Sequence, residues 1–404
     1  MAASPPGRGR AGRPVNAYLD GRGEPTPLLL EAVRERLGLG GGGADPGRVL
    51  EAVAELAPIR GTDQLSSVSA WVGDRLTGLG PLQGLAEGPG VTDVLVLASG
   101  EVWVEDHDGL HRSALRLEDE EERRRLATRL LALGGRRIDD ARPYGDVVVG
   151  GFRVHAVLPP VSAAGTVLSV RVLGRSTASL DGLFPEPGDP WPGWLAHAVR
   201  SRLNLLISGG TGAGKTTLLS ALLAACSAED RIVIAEDAGE LAPAHPHVVA
   251  LQSRASNAEG RGEVSLAELI RQALRMRPDR LVVGECRGEE VRELLMALNT
   301  GHHGAAGTVH ANSAADVPAR LLALGALAGW NERATALQAA AALDAVVHLA
   351  RDESGRRRPV AMVRLLAVDG RLLSEPIVEP DARGRPVPGP AFAWFAGHHR
   401  GGGT

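Results

Sequence analysis

The chain has 404 residues, 44% of them hydrophobic and 23% charged, with a formal net charge of −4. That length suits two domains plus tails, and the composition is that of an ordinary globular protein. The mildly acidic balance argues against a broad nucleic-acid surface, which would show as a basic excess, and leaves room only for a local basic groove.

The two cysteines, Cys226 and Cys286, make neither a disulfide framework nor a zinc site and fit a reduced cytosolic chain. The start, MAASPPGRGRAGRPV, lacks the apolar core of a signal peptide. No run reaches the roughly 18 uncharged apolar residues that span a bilayer, so any membrane role is expected to be peripheral. Basic charge is almost all arginine, as in GC-rich genomes, and Lys215 is the only lysine.

In chain order, residues 1–25 are rich in Pro, Gly and Arg and are expected to be disordered. Helical periodicity follows at 27–37 and 46–56, separated by the flexible run LGGGGAD, and again at 66–77. From Val91 the pattern turns to short β-type runs, 91–96, 102–105 and 110–112, broken by turn residues. Residues 118–133 read as a charged helix, and 146–158 and 167–172 as strands. The stretch 173–192, with four prolines, reads as a linker.

Beyond it, apolar runs at 203–207, 231–235, 281–284 and 306–310 alternate with helical segments, which implies a mostly parallel sheet. Helices are expected at 314–327 and 331–343, and a hairpin from 345–350 and 360–366. The expected organisation is α/β. A disordered start and helical lead (1–61) is followed by an N-terminal α/β domain (62–175), a linker (176–193), a nucleotide-binding domain (194–380) and a flexible tail (381–404).

Gly209, Gly210, Thr211, Gly212, Ala213, Gly214, Lys215 and Thr216 fit G-x-x-x-x-G-K-[ST], and Thr217 continues the loop into a helical run. A strand precedes and a helix follows, the setting this phosphate-binding motif requires. Glycines let backbone N–H groups curl around phosphate oxygens, and the helix N-terminus adds positive dipole character. Lys215 is expected on the β- and γ-phosphates of ATP and Thr216 on Mg²⁺. A forked guanidinium would fit poorly where that compact ammonium reaches.

The strand LVVGE ends in Glu285, with Gly284 where many P-loop enzymes carry a magnesium-binding Asp. Glu285 is therefore expected to orient or activate water, the alternative being an ordinary acid at a strand end. Arg287, two residues on, is a further candidate. Glu236, Asp237 and Glu240 follow another apolar strand, either as a Mg²⁺ site acting through water or as a solvated loop. His310 ends a strand of the same sheet and could sense the γ-phosphate or serve an interface. His302 is open between such a role and a structural one, and His303 is expected to be exposed.

These motifs taken together resemble the secretion-ATPase superfamily of type II and type IV systems, and the nearest branch looks like the TadA/CpaF family of tight-adherence (Flp) pili. GLGPL (78–82), SGGTGAGKTT (208–217), IAEDAGEL (234–241), the segment 257–288 and TGHHGAAGTVHANS (300–313) match in order. The likeness covers residues 75–365, and Gly284-Glu285 is that family's own form of the Walker B strand. His303 departs from the family's usual Asp, and the first sixty residues match loosely.

The resemblance implies a RecA-like P-loop ATPase domain joined to an N-terminal domain. It also implies a hexameric, ATP-hydrolysing ring at the cytoplasmic face of the membrane, working on inner-membrane platform proteins. Arg153 and Arg171 match the positions from which that N-terminal domain supplies arginines to nucleotide, the alternative being surface-strand arginines. The motor would drive pilus assembly or protein secretion. A conjugal DNA-transfer ATPase and an ATP-gated scaffold without useful turnover are the alternatives.

Overall fold

The computed structural model describes residues 18–20, 24–37, 46–57, 59, 61–76, 78–106, 108–173, 179–254, 262–352 and 355–399. The disorder expected for the first residues and the flexible run 39–45 lie outside that set, as does the end from residue 400. The chain divides into two compact units, Met1–Leu173 and Gly174–Thr404.

The first unit opens with three helices, α1 (Pro27–Leu37), α2 (Pro46–Leu56) and α3 (Thr62–Leu76). Leu29 and Val33, Val49 and Val53, and Val68 and Val72 each sit four residues apart, so each pair shares a helix face, and together they form one small core. After the short α4 (Gln83–Ala86) come β1 (Asp93–Val96), β2 (Glu101–Asp106), β3 (Gly109–Arg116), α5 (Glu120–Leu133), β4 (Tyr144–Val149), β5 (Phe152–Val157) and β6 (Val167–Val172). The strands form one antiparallel sheet in the order β3-β2-β1-β6-β5-β4.

Asp119 caps α5 by accepting from the Glu121 amide. Leu126, Leu130 and Leu131 of that helix are buried with Val94, Val154 and Val170 of the sheet. The run 146–158 is two strands rather than one, because Gly150 and Gly151 take φ values of 58° and 87° and turn the chain.

The second unit contains α6 (Leu180–Leu183), α7 (Trp191–Arg200), β7 (Leu205–Gly209), α8 (Lys215–Ala224), β8 (Ile232–Glu236), β9 (Val248–Gln252), α9 (Leu266–Leu274), β10 (Arg280–Cys286) and α10 (Glu290–Leu298). It continues through β11 (Ala306–Val309), α11 (Val317–Leu327), α12 (Glu332–Ala342), β12 (Ala345–Arg351), β13 (Arg357–Val368), β14 (Arg371–Pro380), β15 (Pro386–Pro388) and α13 (Phe392–Gly397). Nine strands make one sheet, β15-β14-β13-β12-β7-β11-β10-β8-β9. The six from β12 to β9 run parallel, and β13, β14 and β15 extend the β12 side antiparallel.

The parallel strands β7, β8 and β11 and most of β10 and β12 are buried on both faces, which is why they read as unbroken apolar runs, whereas edge strand β9 is partly exposed. Leu206, Val233, Leu281 and Val283 face one core, shared with α9 to α12. Leu205, Ile207, Ile232, Ile234 and Val282 face the other, shared with α7, α8 and α13. Leu180 and Trp191 are buried in that second core, so part of the stretch read as a linker belongs to the sheet's cover. The loose tail expected from residue 381 does not hold for residues 381–399, which supply β15 and α13 and bury Phe395.

Candidate functional site

The C-terminal ends of the parallel strands lie along one edge, where open α/β sheets bind ligands. The P-loop leaves β7 there. Gly209 comes first because a Cβ at that position would meet the Leu349 carbonyl of β12 at 2.6 Å. Gly214 caps α8 with φ 91°, a left-handed conformation that suits glycine. Lys215 opens the helix and is buried; its Nζ donates to the Gly209 and Gly210 carbonyls at 2.9 Å each and lies 3.3 Å from His310 Nδ1. Burial pulls the Lys215 pKa below its ordinary value, against the opposing pull of Glu285.

Glu285 sits near the end of β10, where the register with β11 shifts between Val283 and Cys286. Such a bulge re-aims a side chain. Thr308 Oγ1 holds the shifted strand by donating to the Gly284 carbonyl at 2.7 Å. Glu285 Oε1 lies 2.6 Å from His310 Nε2, a close contact rather than an aligned hydrogen bond, and Arg287 grips Oε2 from the other side. Burial holds the His310 pKa below its ordinary value. The neutral ring can then accept at Nδ1 from Lys215 and carry its proton at Nε2, toward Glu285. Four side chains thus run in a string, Lys215–His310–Glu285–Arg287.

Gly284 explains the absent Walker Asp. A Cβ there would come within 2.6 Å of Glu236 Cγ and 2.8 Å of its Oε1. The carboxyl of β8 therefore fills the space a side chain on β10 would occupy. Glu236 is buried, and both its oxygens accept from the Leu241 amide at 3.2 Å. Burial raises its pKa to about 7, helped by Glu240 and Asp237. Glu240, on the loop after β8, adds a small upward pull on the Lys215 pKa. Asp237 is exposed and turns toward β9, accepting from the Ser253 hydroxyl at 2.9 Å.

Glu236 gives a pH-dependent stability with a definite sign. Its folded pKa lies above the ordinary 4.5, so the contribution is complete below that value and is lost as pH rises through about 7. The shift corresponds to about 3 kcal/mol at most. Urea unfolding of the nucleotide-free protein at pH 5 and pH 8 is expected to show a larger loss of stability in the wild type than in Glu236→Gln. Equal losses would mean that Glu236 ionises freely.

The family described as Type II/IV secretion system protein matches residues 76–366, more than half of the chain. The chain belongs to that family. A chain named as a conjugal transfer protein in Mycobacterium tuberculosis is 54% identical over 306 residues, 74% of this chain and 87% of that one. Conjugal transfer protein TrbB of Rhizobium radiobacter is 34% identical over 226 residues, 54% and 67% of the two chains. Among solved structures, the Legionella pneumophila ATPase DotB aligns with a TM-score of 0.49 at 21% identity, over 69% of this chain and 78% of that one.

In this secretion-family chain the sheet brings Lys215, Glu236, Glu240, Glu285, Arg287 and His310 to one edge. His302 is not among them. It precedes β11, so it lies at the opposite edge, with Nδ1 3.2 Å from the Ala297 carbonyl at the end of α10. His303 is half-buried rather than exposed. Arg153 and Arg171, in the first unit, face each other across β5 and β6. Each is tied to an acid of its own sheet: Arg153 forks onto Asp146 with Nη2 at 2.8 Å, and Arg171 Nε meets Asp93 at 3.1 Å.

The sequence reading missed three groups. Buried His348 of β12 takes Ser208 Oγ at 2.9 Å on Nδ1 and also bonds the Asn312 backbone, joining the strand before the P-loop to the loop after His310. Glu290 accepts from the Arg287 and Gly288 amides and sets the turn that folds Arg287 back onto Glu285. Arg351 and Arg357, at the β12–β13 hairpin, lie against Gly212 and Gly214. A polar residue inside an apolar strand signals His348. The run Arg356–Arg357–Arg358 after a predicted strand signals the hairpin cluster.

Proposed function

We propose that the protein is an ATP-hydrolysing motor of a type II/IV secretion system, of the TadA/CpaF kind, driving pilus assembly or protein secretion at the cytoplasmic face of the membrane. Its being an ATPase rests on the complete P-loop in a strand–helix setting and on the family to which the chain belongs. The observation that carries hydrolysis is the string Lys215–His310–Glu285–Arg287. A protein that only holds ATP has no use for a carboxylate held beside the phosphate-binding lysine. No helix among the described residues is long and apolar enough to cross a membrane; attachment through partner proteins is part of the proposal.

The string describes a resting site. Lys215 is held by P-loop carbonyls, and Glu285 is held by His310 and Arg287. A γ-phosphate offers Lys215, His310 and Arg287 a stronger, doubly charged partner. As they turn to it, Glu285 is released to orient a water molecule and take its proton.

The donor set around the P-loop fits Mg²⁺, a hard cation that prefers oxygen and keeps several waters. Thr216 at the start of α8 supplies a hydroxyl, and Glu236, filling the space above Gly284, supplies a buried carboxyl. Exposed Asp237 is a further candidate, and both acids are proposed to act through water. Among the described residues no three His, Cys, Asp or Glu side chains cluster as a metal cage. When bound, Mg²⁺ neutralises phosphate charge.

Arg153 and Arg171 are proposed to serve this chemistry within a homohexamer. Each alanine change is expected to cut turnover by about tenfold to a hundredfold, the worth of one hydrogen bond to a charged group, with little loss of nucleotide affinity. Mixing an Arg153→Ala, Arg171→Ala protein with a Lys215→Ala protein then separates two arrangements. Recovered activity means that one subunit's arginines serve another's ATP. Full turnover in the double-alanine protein alone removes the arginine role.

Phosphate release from Mg-ATP by the purified full-length protein tests the proposal. Tight ATP binding with no turnover, in every oligomeric state and with membrane partners present, would leave the ATP-gated scaffold instead. The names of the two relatives favour a second reading, a conjugal DNA-transfer ATPase. Salt-sensitive DNA binding would support it, whereas the net charge of −4 favours protein cargo.

A further inference from the structure

We propose that Arg351 and Arg357 form the second wall of the nucleotide site and hold the α- and β-phosphates from the flank opposite His310. This extends the P-loop reading above and rests on it.

β7 lies between β11 and β12. On the β11 side, Lys215 reaches His310, and Glu285 stands beyond it. The γ-phosphate belongs on that flank, beside the carboxylate that handles the attacking water. The rest of the nucleotide must then pass along the loop toward β12. There Leu349 pairs with Gly209, and the strand runs on to Arg351.

Arg351 and Arg357 are direct cross-strand partners of β12 and β13. Both lie over the P-loop. Arg351 Nη2 is 2.9 Å from where a Cβ on Gly212 would stand and 3.4 Å from the Gly212 carbonyl oxygen. Arg357 Cδ is 3.4 Å from the corresponding point on Gly214. Two like charges directly opposite each other in a sheet repel. Here they also face a loop whose helix N-terminus is itself positive. Arg356, between them in sequence, turns away to Glu186 at 2.8 Å. An anion lying along Gly212–Gly214 would therefore meet both guanidinium groups, and the phosphates common to ATP and ADP are proposed to lie there. Guanidinium groups, with several N–H donors in a fixed fork, suit that contact.

Backbone conformation accounts for two of the loop's glycines. Gly212 and Gly214 have φ values of 68° and 91°, left-handed conformations that favour glycine, and Arg351 Nη2 lies over the open face of Gly212.

The test is titration of fluorescent ADP and ATP analogues into full-length wild type, Arg351→Ala, Arg357→Ala, the double variant, both lysine variants and Lys215→Ala. Each alanine change is expected to weaken ADP and ATP by the same factor, about tenfold, with the double variant weaker still. KM should carry most of the loss in kcat/KM, because the lost contact is made equally in ground and transition states. The lysine variants should recover part of the affinity, since charge returns without the fork.

Binding of ADP by the double variant within twofold of wild type would overturn the proposal. So would a loss confined to ATP, which would place the arginines at the γ-phosphate. If the alanine variants lose kcat with KM unchanged and the lysine variants recover nothing, the arginines only prop the loop, and the proposal falls. Unchanged ATP binding in Lys215→Ala would instead sink the P-loop reading itself, so the two failures are distinguishable.

Discussion

Lys215→Ala is expected to bring ATP turnover to background and to weaken ATP binding, and Lys215→Arg is expected to fail as well. The lysine lies in the least forgiving part of the site. Its stem is buried, and its ammonium is held 2.9 Å from each of two carbonyls. When phosphate arrives, a compact charge with three rotatable donors can leave those carbonyls and reach between two phosphate groups. A guanidinium is planar and wider, and Ala213 of the loop is already buried. Arginine would have to spread the P-loop or point out of it. The composition adds a second argument: in a chain that uses arginine for every other strong cation, a lysine at this position is specific. Phosphate release and nucleotide binding, measured on the same preparations, check the prediction. Near-normal turnover in Lys215→Arg would contradict the role given to Lys215.

Much of this site was legible in the sequence because its groups sit at strand ends. In a parallel sheet every C-terminal strand end faces the same edge, so a motif after an apolar run is placed as soon as the run is recognised as a strand. The P-loop after β7, the acids after β8, Glu285 on β10 and His310 after β11 were found in that way. His302, open in the sequence between a site role and a structural one, is not placed by that logic. It lies only eight residues before His310, but β11 runs between them and carries the two to opposite edges. Sequence distance is short where sheet distance is a whole strand.

What stayed hidden depends on which strands are neighbours. β12 follows β11 after two helices, yet it pairs with β7 rather than with β11. Only that pairing brings His348 onto Ser208 and Arg351 over Gly212. The order cannot be read from an apolar run, because all these strands are buried on both faces and carry the same pattern. The end of the chain hid for another reason. Its Pro/Gly-rich composition reads as loose, but Phe395 is buried in one core with Trp191 and Leu195 of α7 and meets the His197 ring edge-on, a long-range contact that local composition does not report. Gly284 shows the reverse case. The sequence showed the missing acid of the Walker strand, and the structure supplies the reason, since Glu236 of the adjacent strand fills that space.

Glu285→Gln is expected to leave ATP affinity close to wild type while turnover falls by roughly two to four orders of magnitude, the range for a lost acid–base group. The substitution keeps the side-chain shape but removes the charge that draws His310 and Arg287 together. Its effect therefore has two parts. The amide cannot take a proton from water, which lowers kcat. It also holds Arg287 and His310 less firmly in the nucleotide-free protein, which frees them for the γ-phosphate and offsets any loss in ATP binding. Affinity for ADP, which lacks that phosphate, should not gain. Single-turnover hydrolysis beside equilibrium binding of ATP and ADP separates the two parts. If Glu285→Gln loses ATP binding instead, Glu285 is structural or a metal ligand. The group that activates water must then be sought elsewhere on the same edge. Glu240 is the first candidate, because its charge already reaches Lys215.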